Sequence, residues 1–481
     1  MQTTFDRRMS ESDALIWQIE QDPELRSTIN VIWLLDCVPD RARLDGSFGE
    51  LSRVVPRLRQ RVARSPFSLA SPRWEEDLGF DLSYHLRWQR VAGHGSLQDL
   101  LEMIQPLAMQ AFDRARPLWE CVVIDGLEGG RAAMLLRIHH AISDGVGLVH
   151  MTAGLVQRSR EAGAPLSAGL PHMPPIQMMS FAERFLDALG IERQRQGARV
   201  RRAIAAMTDG LGDLIRRPIA AALELTETLR SVGHLLRPMS ERLSPLLRGR
   251  SIGLRLATYE VDFARLKASA HFVGGTVNDA FIAAVTGGLR HYHEAHGTGA
   301  VPAELRMTMP INLRSGEDAQ RAGNQFVPMR FLIPIALADP VERMREIRAR
   351  IVSERAEPAL PLVGELAGLF ARFPNAVATA ILGSMMKSVD LVTTNVPGPH
   401  FDVYLAGAKI ESMFGFGPLT GAALNVTAFS YAGRFEIGIS MDPAAVEDPE
   451  DFVACLKLGF DEVLALVPVA GLKAMTAEAG R

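Results

Sequence analysis

Two adjacent histidines, His139 and His140, end an apolar run that reads as a β-strand, in the sequence Arg137-Ile-His-His-Ala-Ile-Ser-Asp144-Gly145. Neighbours on a strand point to opposite faces. The pair is therefore poorly built to chelate one metal ion, and well built to send one imidazole into a cavity and the other into the core. A neutral imidazole can take a proton from a bound hydroxyl or thiol, because its pKa lies near neutrality and its other ring nitrogen can be held in one tautomer. Asp144 stands at the turn, where it can organise the loop or simply cap the helix that follows. Gly145 allows a sharp turn into that helix. On the residues alone, a structural role and a catalytic role both stay open.

The elements that must position this segment are legible on either side of it. Ile29 to Leu35 is apolar and rich in β-branched residues, which predicts a strand. Trp119 to Ile124 and Ala132 to Ile138 predict two more, paired as a hairpin across the turn-rich Leu127–Gly130. Gly46 to Val62, Leu97 to Ala111 and Val146 to Val156 read as helices, the second with a clear 3.6-residue period. In the second half, Leu254–Phe263, Arg306–Ile311, Met329–Ile335, Leu391–Val396, Ala423–Tyr431 and Phe435–Met441 read as strands. Val277–His293 reads as a helix with a small-residue face (Ala280, Ala283, Ala284, Gly287), and Pro340–Glu354 and Asp448–Leu466 as two others. The organisation predicted is an α/β chain in three parts: residues 1–165, a connector over 166–250, and residues 251–481.

Composition narrows the class. The 481 residues carry 47% hydrophobic and 22% charged side chains, as a soluble globular chain does. The net charge of −3 lacks the basic excess that a nucleic-acid footprint needs. Three separated cysteines, Cys37, Cys121 and Cys455, form no Cys-x-x-Cys pair, which fits a reducing, cytoplasmic compartment. No secretory signal is visible at the N-terminus. The apolar uncharged run Ala376 to Met386 is well short of the ~20 residues a spanning helix needs. Within the connector, residues 191–250 hold 12 arginines, no lysine and 6 acids. That excess suits either a solvated linker or peripheral attachment to anionic lipid.

Taken with its surroundings, His139-His140-x-x-x-Asp144-Gly145 resembles the signature of the chloramphenicol-acetyltransferase-like acyltransferases, and most closely the bacterial wax ester synthase/diacylglycerol acyltransferases. The resemblance rests further on Pro117-Leu118-Trp119-Glu120, on the N-terminal element Met9–Glu20, on Pro56–Val62 and on the stretch Pro72–His85. In the second half it rests on Thr276-Val277-Asn278-Asp279, Pro310–Arg314, Gly323-Asn324-Gln325 and Asn395–Pro399. It runs from about residue 9 to about residue 465 and is weakest across 165–250. Two departures are Ile142-Ser143, where many members have a Leu-Val pair, and Gly147, where a serine is common.

The resemblance implies a sandwich-type α/β fold of two acetyltransferase-like domains with a tunnel at their interface. It implies direct transfer of a long acyl chain from acyl-CoA to diacylglycerol, a fatty alcohol, or both, with His140 as general base, no acyl-enzyme, no bound cofactor and no metal. His139 and Asp144 would support the reaction. Gly145, Asn278, Asp279 and Arg314 are the candidate supporting or substrate-binding residues: Asn278 as a polar lining group or a helix cap, Asp279 likewise, Arg314 as a partner for Asp144 or a structural residue. The absence of a Gly-x-Ser-x-Gly elbow agrees with direct transfer. Two other readings fit the same signature: a condensation-type transferase using a carrier-protein thioester, and a non-catalytic lipid-binding protein. Elsewhere, Gly415-Phe-Gly417 with Gly421 reads as a loop rather than a dinucleotide site. His291, His293 and His296 read as an exposed helix end, and the sequon at Asn425 falls in an apolar strand.

Overall fold

The computed structural model describes residues 7–64, 70–161, 180 with parts of 182–197, 242–297, 299–312, 326–357 and 375–467. The apolar run Thr28–Leu35 forms β1, at the heart of a seven-stranded sheet. On one side of β1 lies Ala132–His139 (β6), then Trp119–Asp125 (β5), then Leu86–Arg90 (β4). The β5–β6 pair is the antiparallel hairpin predicted, and β6 runs antiparallel to β1, with Thr28 opposite His139. A separate two-stranded ribbon joins Gln60–Ala63 (β2) to Arg73–Glu76 (β3).

The other side of β1 is covered from the far end of the chain. Ala408–Phe416 (β13) pairs antiparallel with β1, followed by Tyr404–Leu405 (β12) and Val156–Gln157 (β7). The second sheet holds six strands in the order Phe326–Pro334 (β10), Glu304–Asn312 (β9), Leu391–Pro397 (β11), Leu424–Tyr431 (β14), Arg434–Met441 (β15) and Arg255–Asp262 (β8). Its three central strands, β9, β11 and β14, are parallel. The chain thus leaves the second sheet after β11, adds two strands to the first, and returns as β14.

That excursion joins the sheets tightly. A Cβ on Gly438 of β15 would stand 2.0 Å from the Gly415 carbonyl of β13, so only glycine allows the approach. Fully buried Glu436 reaches across and accepts the Met413 N–H at 2.6 Å. Burial pushes the Glu436 carboxyl up, while Met413 and Arg434 pull it the other way.

The second core is built on the helix Val277–His296, whose predicted small-residue face is fully buried. The helix Pro449–Leu464 lies against it so closely that a Cβ on Gly459 would meet the Ala284 carbonyl at 2.2 Å. Among the described residues, no single helix is long and apolar enough to cross a membrane.

Three expectations are corrected. The helix expected over 46–62 instead spans Arg41–Val54, because Asp40 caps it by accepting the Arg43 N–H, and Pro56 opens a separate short turn leading into β2. Gly415 and Phe416 are strand residues, their glycine demanded by the close sheet contact. His293 is buried, held by Ser244 and the Leu289 carbonyl, whereas His291 faces Glu462 and His296 lies near Asp451, so the three rings do not converge. Most of the connector, with most of its arginines, lies outside the described residues.

Candidate active site

The site grows from the last residue of β6. The His139 ring is 2% exposed and turned to the inner face. Its Nδ1 accepts the Ala141 N–H at 3.0 Å, so the ring proton belongs on Nε2, which donates to Glu20 Oε2 at 2.8 Å. Glu20 ends the N-terminal helix Glu11–Ile19 and also accepts the Ser27 N–H, at 2.5 Å. Burial would raise its carboxyl, but His139, Ser27 and Arg114 outweigh that and hold it below the usual carboxylate range. Trp17, Phe112, Arg114, Arg26 and Leu118 join Glu20 and His139 around a cleft of about 240 Å³. Arg114 lies over the Trp17 ring at 4.2 Å.

His140 is the first residue beyond β6, in the turn that follows it. It is half-buried, and its N–H donates to the Ser27 carbonyl at 2.8 Å. Its ring donates to its own backbone carbonyl. Burial pushes its pKa down to about 4, against the opposing charge of Asp144. Above that value the uncharged form of the ring is favoured, the form that proton abstraction requires.

Asp144 caps the helix Gly145–Thr152, its Oδ1 accepting the Gly147 N–H at 2.7 Å. That helix stops at Thr152, short of the expected Val156. Its first turn meets β11: a Cβ on Gly145 would stand 2.9 Å from Val396 Cγ2. The His-His turn from one half and the Asn395–Pro399 strand end from the other are therefore in contact. We expect Gly145→Ala to wedge this seam apart, at a cost of about 1–3 kcal/mol for overpacking, and Val396→Ala to relieve it; thermal midpoints and turnover of the single and double variants check this.

The two departures in this segment explain each other. A Cβ on Gly147 would sit 2.4 Å from Ser143 Oγ, so the Ser143 hydroxyl occupies the space a side chain at 147 would need. Gly147→Ser alone is expected to lower the thermal midpoint, and Ser143→Ala added to it to recover part of the loss.

The remaining candidates have separate surroundings. Asn278 is half-buried in the first turn of its helix and donates to Met309 Sδ at 3.3 Å. Asp279 closes a capping box with Thr276, its Oδ2 accepting both the Thr276 N–H and hydroxyl. Arg314 lies outside the described residues. Trp119 of the Pro-Leu-Trp-Glu element is buried, stacks on His85 and donates to the Leu58 carbonyl at 2.8 Å. That element acts by seating β5 against the core. Sequence reasoning missed the role of Glu20. It lies 119 residues from His139, and nothing in the spacing links them. Among the described residues, no three His, Cys, Asp or Glu side chains are arranged to hold a metal ion.

The wax ester synthase/diacylglycerol acyltransferase catalytic domain matches residues 9–281, and the corresponding C-terminal domain matches residues 322–463. A putative diacylglycerol O-acyltransferase of Mycobacterium tuberculosis (strain H37Rv) is 37% identical over 455 residues, covering 94% of this chain and 91% of that one. A second from the same strain is 29% identical, covering 86% of each. The fold is similar to that of a wax ester synthase/diacylglycerol acyltransferase from Marinobacter aquaeolei VT8, with a TM-score of 0.59, 20% identity and coverage of 95% of this chain and 98% of that one. It is also similar to the first condensation domain of the calcium-dependent antibiotic synthetase, with a TM-score of 0.60, 13% identity and 96% of both chains covered. With both family domains matched along the chain and a relative 37% identical over 94% of it, this protein belongs to the wax ester synthase/diacylglycerol acyltransferase family and is an acyltransferase.

Proposed function

We propose that the chain esterifies diacylglycerol, a long-chain fatty alcohol, or both, with acyl-CoA as donor, and that His140 is the general base. The observation that carries the reading is the His139–His140 corner, with the His140 N–H fixed on the Ser27 carbonyl at 2.8 Å and burial favouring the uncharged ring. In this mechanism the acceptor O–H gives its proton to Nε2 as its oxygen attacks the thioester carbonyl. The tetrahedral oxyanion collapses, the C–S bond breaks, and the imidazolium returns the proton to the CoA sulfur. Electrons and protons close on the two substrates, so no bound cofactor enters. Asp144 holds the loop and stabilises the imidazolium by its charge, and Asn278 is placed as a polar lining group.

Incubating the purified protein with labelled palmitoyl-CoA and either hexadecanol or diacylglycerol tests this, with products separated by thin-layer chromatography. Labelled wax ester or triacylglycerol is the expected result. Transfer only from a carrier-protein thioester would overturn the donor assignment, and no transfer from any donor would favour lipid binding without turnover.

For localisation, we propose a cytoplasmic protein held peripherally on the inner face of the membrane through its arginine-rich connector, because its substrates partition into lipid. Reversing Arg193, Arg195, Arg199, Arg201 and Arg202 is expected to abolish co-sedimentation with anionic liposomes. Undiminished binding would remove the connector from the account.

A further inference from the structure

We infer that Glu20 is a positioning residue for acyl transfer, fixing the His139–His140 corner from both sides with a single carboxylate. The inference rests on the reading of His140 as general base. One oxygen of Glu20 takes the His139 Nε2–H at 2.8 Å and the other takes the Ser27 N–H at 2.5 Å. The Ser27 carbonyl in turn takes the His140 N–H at 2.8 Å. Two routes, one through a ring and one through a peptide unit, thus run from one buried carboxylate to adjacent residues. Removing it frees the backbone of His140 on one route and the ring of its neighbour on the other.

The segment between is anchored as well. Lys387, at the end of the helix Asn375–Lys387 from the second half, pairs with Asp22 at 2.6 Å and with Glu24 at 2.7 Å. The strap Glu20–Ser27 therefore ties the His140 corner to both halves of the molecule.

The chemistry demands a carboxylate. Two donors converge on Glu20, and an amide has only one oxygen to offer them. His139 cannot adapt by exchanging tautomers, because its Nδ1 already accepts the Ala141 N–H. In Glu20→Gln, an amide N–H would face a donor.

The test measures kcat and the KM for acyl-CoA in Glu20→Gln, Glu20→Asp, His140→Ala and the double variant Glu20→Gln/His140→Ala. Glu20→Gln is expected to lower kcat about 10–100-fold, the order that a displacement of ~1 Å costs, with KM within about twofold. Glu20→Asp keeps the charge but reaches only one donor, and is expected to fall between Glu20→Gln and the native chain. In the His140→Ala background, Glu20→Gln is expected to add no further loss. The downfield His139 Nε2–H proton resonance of the native protein is expected to vanish in Glu20→Gln.

A kcat for Glu20→Gln within twofold of native, or an equal loss in both backgrounds, overturns the inference. Near-native turnover by His140→Ala alone overturns the general-base reading, which is a distinguishable outcome. If Glu20→Gln does not fold, Glu20→Asp decides: native kcat in that variant overturns the inference, and a lowered kcat at unchanged KM supports it.

Discussion

Replacing His140 with alanine is expected to lower turnover by about 10²–10⁴-fold, the contribution a general base typically makes, while circular dichroism and the thermal midpoint stay near native values. The fold survives because the His140 ring is only half-buried and its backbone bond to Ser27 does not depend on the side chain. The pH dependence is the sharper check. Burial pushes the ring down to about 4, so the base is in its active, deprotonated form at every pH above that. The acid limb of kcat/KM is expected near pH 4 rather than near 6.5, the value of an ordinary histidine. The stability linkage has the same direction. In the unfolded chain the ring binds its proton from about pH 6.5 downward, whereas in the folded chain it resists until about pH 4. His140 therefore withdraws stability as pH falls through that window, and His140→Ala is expected to make the protein less acid-sensitive there. His139→Ala differs in kind. It strands the buried Glu20 carboxylate without its ring partner, and is expected to lower the thermal midpoint as well as the rate.

How much of this was legible depends on where the information lies along the chain. The strands β1, β5 and β6 announce themselves because their side chains are mostly apolar, and the hairpin follows from the turn between the last two. The place of His139 at the end of a strand follows from the apolar run that precedes it. The Glu20–His139 bond does not, because periodicity carries no information across 119 residues. The strand β13 was hidden for a physical reason. Gly415-Phe-Gly417 with Gly421 reads as a loop. The glycine at 415, however, answers a steric demand made by Phe429 and Thr427, whose side chains would lie within 2.9 Å of a Cβ there. A local pattern cannot reveal a requirement set by strands that follow it in sequence. The Asp144 cap was legible as a cap, but its contact with the second half, through Gly145 and Val396, was not.

The largest stability effect is expected at a pair that the catalytic reading does not use. Arg137, two residues before His139 in β6, is 1% exposed. Its Nη1 donates to Glu120 Oε2 at 2.5 Å, its Nη2 to the Gln110 carbonyl at 2.5 Å, and its guanidinium lies 5.0 Å from the Phe112 ring centre. Burial pulls its pKa down, and Glu120 is the main opposing charge. Glu120→Ala leaves that guanidinium buried without its counter-ion, and loses the 2.8 Å bridge from Glu120 to Arg87 as well. Breaking a buried pair from one side typically costs about 3–5 kcal/mol, because a charge is then stranded in low dielectric. Replacing both partners removes the stranded charge along with the attraction. Glu120→Ala/Arg137→Met is therefore expected to be more stable than Glu120→Ala by about 2 kcal/mol or more, although the Gln110 carbonyl loses its donor. Denaturant midpoints of the native chain, Glu120→Ala and Glu120→Ala/Arg137→Met measure this. Equal destabilisation in the Glu120→Ala single variant and the double variant would mean that the pair acts by shape rather than charge. The position of the pair makes the point mechanistic. Arg137 and His139 share one strand, with Glu120 on the next. Loosening β6 against β5 displaces the end of β6, so turnover in Glu120→Ala is expected to fall before the protein unfolds.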